Sequence, residues 1–246
     1  MPAGYQAFGS AAGYVGSAPF QPIDLSGLVA WFRADKGLTL NGSNVSAWAD
    51  QSGVGDSGRN LAQGNSALQP AFTASDAAYN NRPTVGFAGL ELLVSGAWSA
   101  NLPVPSTRMV VGHGANDLTN NYFMDSIQGG NQHALIASSS GFSDVFDGAT
   151  LTDNTATPDT PNVFVIVDNG ASTKIYRSAH TVRKTGNAGA NANWTGVTVG
   201  NTAGGGSFAL TGSIAEIAEW DRALSATEIA LLMDYAGARY GISIGA

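Results

Sequence analysis

The residues best placed to do chemistry are three carboxylates near the end of the chain, in the run Glu216-Ile217-Ala218-Glu219-Trp220-Asp221. Retaining glycoside hydrolysis needs two carboxyl groups about 5–5.5 Å apart, one as acid and one as nucleophile. In an extended strand, the period of two puts Glu219 and Asp221 on one face and Glu216 on the other. That broken register favours a structural reading, in which Asp221 and Arg222 fix a strand-to-helix turn. His113, His133 and His180 are scattered and have no partner four residues away, so they do not spell a metal site. The chain has no cysteine, which excludes disulfides, thiolate chemistry and zinc sites that need sulfur. There is no Gly-x-Ser-x-Gly elbow, and the run from Gly200 to Gly206 lacks the Lys and Ser/Thr of a phosphate loop. That run reads as a mobile turn. The expectation is a protein that is not an enzyme.

Binding is better supplied. Trp98 and Trp194 sit among Gly, Ser and Asn and are candidate platforms for stacking sugar rings. Trp31 and Trp48 lie in strand-like runs and are expected in the core. Asp117, Asp125, Asp144 and Asp147 offer hard oxygen ligands in turn-rich chain, although no EF-hand spacing joins them. The N-terminal stretch carries Tyr5, Phe8, Tyr14 and Phe20 on a Gly/Ala/Ser backbone, with no charged side chain before Asp24. Residues 1–22 are expected to form an extended assembly arm, and residues 23–246 a single domain. Packing on a neighbouring subunit would bury those aromatics.

The elements that must position these groups are short. Leu28-Val29-Ala30-Trp31-Phe32, Met109-Val110-Val111 and Val163-Phe164-Val165-Ile166-Val167 are typical of the strand-like runs, punctuated by Gly, Asn, Asp and Pro. Phe208-Ala209-Leu210 and Ile214-Ala215-Glu216-Ile217 belong to the same series. Asp168-Asn169-Gly170 is a hairpin signal. One helix stands out. Ser225-Ala226-Thr227-Glu228 is a capping box, followed by Ile229, Leu232, Met233, Ala236 and Tyr240 on one apolar face, with Gly241 as the stop.

Several of these segments are similar to laminin-G-like, concanavalin A-like lectin domains. The resemblance rests on Leu28-Val29-Ala30-Trp31-Phe32-Arg33-Ala34-Asp35, Val45-Ser46-Ala47-Trp48-Ala49-Asp50-Gln51-Ser52-Gly53 and Asn81-Arg82-Pro83-Thr84-Val85-Gly86-Phe87. At the other end it rests on Gly212-Ser213-Ile214-Ala215-Glu216-Ile217, on Asp221-Arg222-Ala223-Leu224-Ser225 and on the helix through Ile242. It implies an all-β, two-sheet antiparallel jelly-roll sandwich with paired terminal strands and one C-terminal amphipathic helix. It also implies calcium at the sandwich rim, for which the four aspartates would be the ligands. Glycosidases of this fold carry carboxylates in register on one strand, a pattern that Glu216 and Glu219 break.

Composition narrows the setting. Only 12% of residues are charged, about half the usual share. Polarity comes from Ser, Thr, Asn and Gln, which suits harsh surroundings. The net charge of −7, without basic clusters, argues against nucleic acid. No apolar run is long enough for membrane insertion, and residues 1–21 show no basic, apolar export signal. These features lead to the expectation of a structural protein on a virion surface: a phage head decoration, fibre or tail component with possible glycan adhesion. It would join other virion subunits through its arm, in an oligomer or larger assembly. An extracellular carbohydrate-binding module or bacterial adhesin is the alternative, and a glycan-cleaving enzyme the third.

Overall fold

The computed structural model describes residues 19–115, 121–127, 134–137, 143–155, 160–190, 194–206 and 208–246. Tyr5, Phe8, Tyr14, Asp117 and His133 lie outside the described residues, as does the side chain of Asp144. Strands β1 (Leu28–Arg33), β2 (Leu38–Asn41), β3 (Asn44–Trp48), β4 (Leu61–Ala62), β5 (Ala71–Asp76) and β6 (Arg82–Ala88) come first. β7 (Leu93–Ser95), β8 (Ser106–Gly114), β9 (Asn121–Ser126), β10 (Ala134–Ala137), β11 (Ser143–Phe146) and β12 (Thr150–Asp153) follow. β13 (Asn162–Asp168), β14 (Thr173–Arg177), β15 (Lys184–Gly186), β16 (Val197–Val199), β17 (Thr211–Trp220) and helix α1 (Ala226–Tyr240) complete the order.

β17 is the hub of one sheet. It pairs with β8 along one edge, and with β6 and then β1 along the other. β13, β14 and β15 extend the sheet beyond β8. The second sheet runs β2, β3, β4, β7, β16, β9, β10, β11, β12, antiparallel throughout. β5 pairs with β6 and touches β3, so the sheets join at that side. The result is the jelly-roll sandwich expected, with first and last strands paired and one helix at the end.

The hub sheet is covered twice. Phe32, Val110, Phe164 and Ile217 face the other sheet, where Trp48 and Phe123 meet them. Met109, Val165, Ala218 and Trp220 face outward and pack beneath Ile229, Leu232, Met233 and Ala236 of α1. Every residue of β13 is buried, which explains its unbroken apolar reading: both faces need apolar side chains. Trp31 and Trp48 are core residues.

The helix starts and stops as its sequence dictates. Ser225 accepts from the Glu228 N–H, the Glu228 carboxylate reaches back, and Gly241 ends the helix in the left-handed conformation at φ 69°. Two local expectations change. Phe208-Ala209-Leu210 forms no strand; Leu210 donates to Gly200 O and accepts from Gly89, bridging two turns instead. Between β13 and β14 the loop is longer than a two-residue turn, because the Thr173 hydroxyl donates to Gly170 O at 2.9 Å and closes a 3-10 turn.

Candidate functional site

Glu216 and Glu219 lie on opposite faces of β17, as period-two spacing demands. A bulge at Ala215 shifts the register between Ile214 and Glu216, so Ala215 and Glu216 both turn towards α1. Glu216 is fully buried there. Its carboxylate accepts from Trp31 Nε1 at 2.5 Å, Tyr235 OH at 3.0 Å and Tyr240 OH at 2.7 Å. Burial pushes its pKa upward and these donors offset part of the rise. The group therefore ties α1 to β1 and β17.

Glu219 points between the sheets and is also fully buried. The β17–β8 register sets it opposite Arg108, whose Nε stands 3.8 Å from its carboxylate. Arg108 also meets Asp168, at 3.5 Å. Burial drives the Glu219 pKa up to about 7, with Arg108, Arg59 and the Trp194 indole acting in the opposite direction and Asp50 adding to the rise.

The two candidate tryptophans gather around this charge cluster. The Arg108 guanidinium lies 4.5 Å from the Trp194 ring, and Arg59 lies 4.4 Å from Trp98. Backbone bonds lace the tiers together: Trp98 N–H donates to Thr195 O at 2.7 Å and Leu102 N–H to Trp194 O at 2.8 Å. Trp194 is fully buried and Trp98 is 6% exposed, so neither offers an open ring face for a sugar. Each ring instead carries a guanidinium over one face, an arrangement worth about 2 kcal/mol when desolvated.

Above the Trp98 tier, a cavity of about 510 Å³ opens at the sandwich rim. Arg59, Trp98, Ser99, Asn101 and Asp221 supply its polar wall, and Leu28, Val29, Val54, Leu102 and Pro103 its apolar one. Asp56 braces the wall: it accepts from Ser99 N–H at 2.9 Å and Gly58 N–H at 3.0 Å, and stands 3.5 Å from Arg59 Nε. Those backbone donors hold its carboxyl below the usual range. Asp221 is exposed at the mouth. The strand-to-helix turn is fixed by its neighbour Arg222, which pairs with Glu228 at 2.6 Å and donates to Ser26 O.

Of the four aspartates named as calcium ligands, Asp125 and Asp147 have side chains that the structure describes. Asp125 is 7% exposed, accepts from Ser126 and Ala203 N–H groups, and so holds the glycine-rich turn after β16. Burial raises its pKa to about 6. Asp147 is fully buried, in a backbone crossing with Ala188. Among the described residues, no three metal-ligating side chains converge. His180 Nε2 meets Asp234 of α1 at 2.8 Å, while His113 lies in β8, so these two do not form a site either.

Sequence reasoning singled out Trp98 and Trp194 as sugar platforms and weighed Glu219 as a catalytic carboxylate, but named neither Arg59 and Arg108 nor the cavity. One signal was available: Arg108 and Glu219 each interrupt an apolar strand run, and a charge in such a run needs an opposite partner.

No family model and no curated protein sequence matches the chain. Solved structures of similar fold include the botulinum neurotoxin serotype D binding domain (TM-score 0.62, 10% identity, 89% of this chain and 54% of that one). They also include domain 4 of an extracellular arabinanase from Geobacillus stearothermophilus, in complex with arabinotriose (TM-score 0.59, 11% identity, 85% and 98%). A third is Trypanosoma rangeli sialidase in complex with sialic acid (TM-score 0.55, 13% identity, 89% and 34%). The chain thus spans about a third of the sialidase and about half of the toxin domain. These likenesses establish the lectin-like β-sandwich fold.

Proposed function

We propose that this chain is a non-catalytic glycan-binding module, laminin-G-like in type, displayed on a virus particle as a head decoration, fibre or tail component. The rim cavity carries the reading. It sets one guanidinium, one exposed carboxylate and two small polar side chains beside an apolar wall, which suits the hydroxyls and C–H face of a saccharide. Arg59 is already balanced by Asp56 and by Glu219 behind it, so the cavity favours a neutral sugar unit over an acidic one. Two proteins of similar fold are described with arabinotriose and sialic acid, which supports glycan as the ligand class. The burial of Glu216 and Glu219 on opposite faces supports binding without cleavage.

Residues 1–22 serve in this reading as the arm that joins the module to neighbouring virion subunits. The low-charge composition fits exposure to harsh surroundings.

The test is a glycan array probed with the full chain and with Asn101→Trp, which fills the cavity from an exposed position. Binding to a defined set of glycans, lost in Asn101→Trp at unchanged melting temperature, is expected. Equal binding by the plugged variant would remove the cavity from the reading. Mass spectrometry of purified particles against culture supernatant tests the virion assignment, and recovery only from supernatant favours a free carbohydrate-binding module or adhesin.

A further inference from the structure

A second cavity, of about 680 Å³, lies along the outer side of α1 where the described chain begins. Pro19 and Phe20 form one wall, Leu231 and Tyr235 of α1 another, and Arg33, Arg82 and Arg239 with the single carboxylate of Asp234 its mainly cationic rim. Leu231 is 43% exposed in this groove. Phe20 meets Tyr235 edge-on at 6.2 Å, and Gln21 Oε1 accepts from Arg33 Nη1 at 3.2 Å, so the root of the arm is pinned at the groove. The volume is that of a ligand site, yet the walls are mostly apolar and exposed.

The segment that precedes Pro19 has the matching chemistry. Its eighteen residues carry Tyr5, Phe8 and Tyr14 and no charged side chain. Aromatic rings gain from burial against Leu231 and Phe20 and from the guanidinium groups of Arg33 and Arg82. An uncharged segment also meets no repulsion from that cationic rim.

The length of the arm, and the Phe20 already seated at the groove, favour a second copy as the donor. Eighteen residues extend about 60 Å, far beyond the groove. Ala18 precedes Pro19 and Gln21 precedes Pro22; a residue before proline is pushed to extended geometry, as Gln21 shows at φ −136° and ψ 159°. Phe20 already supplies this molecule's own aromatic contact at the groove. We infer that the groove on α1 is the seat for the arm of a second copy of the chain, so that copies join by donating residues 1–18 to each other. This rests on the arm being the attachment element.

Two full-length variants separate seat from arm. Leu231→Arg spoils the groove at an exposed position, and the triple change Tyr5→Ser, Phe8→Ser, Tyr14→Ser spoils the arm. Sedimentation across a concentration series should show association for the unaltered chain and, at unchanged melting temperature, weakening by about tenfold or more in either variant alone. Mixing the two should restore a pair, because one contributes an arm and the other a seat. Association unaffected by Leu231→Arg overturns the inference. So does a chain that stays monomeric while Leu231 and Tyr235 are protected from solvent by its own arm.

A labelled peptide of residues 1–18, titrated into the triple variant, reads the seat by itself. Incorporation of the triple variant into native particles reads the attachment role. Peptide binding with normal incorporation sinks only the attachment reading. Lost incorporation without peptide binding sinks only the seat.

Discussion

Glu219 shows what a buried carboxyl does to this fold. Its pKa of about 7, and that of about 6 for Asp125, stand above their ordinary values of 4.5 and 3.8, both through burial. In the window between, the folded protein keeps protons that the unfolded chain has released, so stability falls as pH rises. Glu228 acts in the opposite sense. Arg222 and Ser225 hold it down to about 2, so its contribution is complete above about 4.5 and disappears as pH falls through about 2. The melting temperature should therefore peak near pH 4 to 5 and decline towards pH 7. Glu219→Gln, similar in shape, should remove about half of the decline, an effect of about 3 kcal/mol at neutral pH, and leave the part that Asp125 carries. Thermal unfolding across pH 3 to 8 checks this, and equal stability at pH 5 and 7 in the unaltered chain would count against it. The same variant addresses catalysis: polysaccharide cleavage that vanished in Glu219→Gln would overturn the binding reading.

At the scale of elements, α1 is held by its cap and by Glu216 beneath it. Ser225→Ala removes the acceptor for the Glu228 N–H and should cost about 1 kcal/mol, read as a lowered melting midpoint. An unchanged midpoint would mean that Arg222 and Glu228 alone secure the turn. This helix was legible in the sequence because a capping box, a 3.6-residue period and a stop glycine are all local signals. The strands of the hub sheet were legible for the same reason. The site was only half legible. Trp98 and Arg59 are distant in sequence, and only the folded course of the chain between them brings the guanidinium to the ring. Arg108 faces Glu219 through strand register, which no local pattern encodes. Asp125 stood out by residue type alone; its acceptance from the Ser126 and Ala203 N–H groups depends on how the glycine-rich turn folds back.

At the scale of the whole molecule, both faces of the hub sheet are covered by described residues of the sandwich and of α1. Phe20 and Leu25 pack only at the margin of the helix-side core, whose centre is Met109, Val165, Trp220 and Leu232. Deleting residues 1–18 should leave the melting midpoint within about 2 °C of the full chain, since no described core contact is lost. A collapse of the truncated fold would move the arm into the core. The short strands and the C-terminal helix were expected from patterning, whereas the jelly roll and its paired terminal strands were what the resemblance to laminin-G-like domains implied. Function was less open to such reading, since the same sandwich supports many binding surfaces and the site depends on which loops meet at the rim.

Strand β1 links the two cavities. Leu28 and Val29 at its start line the rim cavity, and Arg33 at its end lines the groove on α1. Tension between a bound cell surface and an arm seated next door would run lengthwise down this one strand. β1 lies antiparallel against β17 from Leu28 to Arg33, so the load would shear that ladder and strain its bonds together, rather than peel them open one by one. Resistance to such loading is a matter of barrier height and rate, not of equilibrium stability. In the proposed reading, anchor and load would sit at opposite ends of a single six-residue strand.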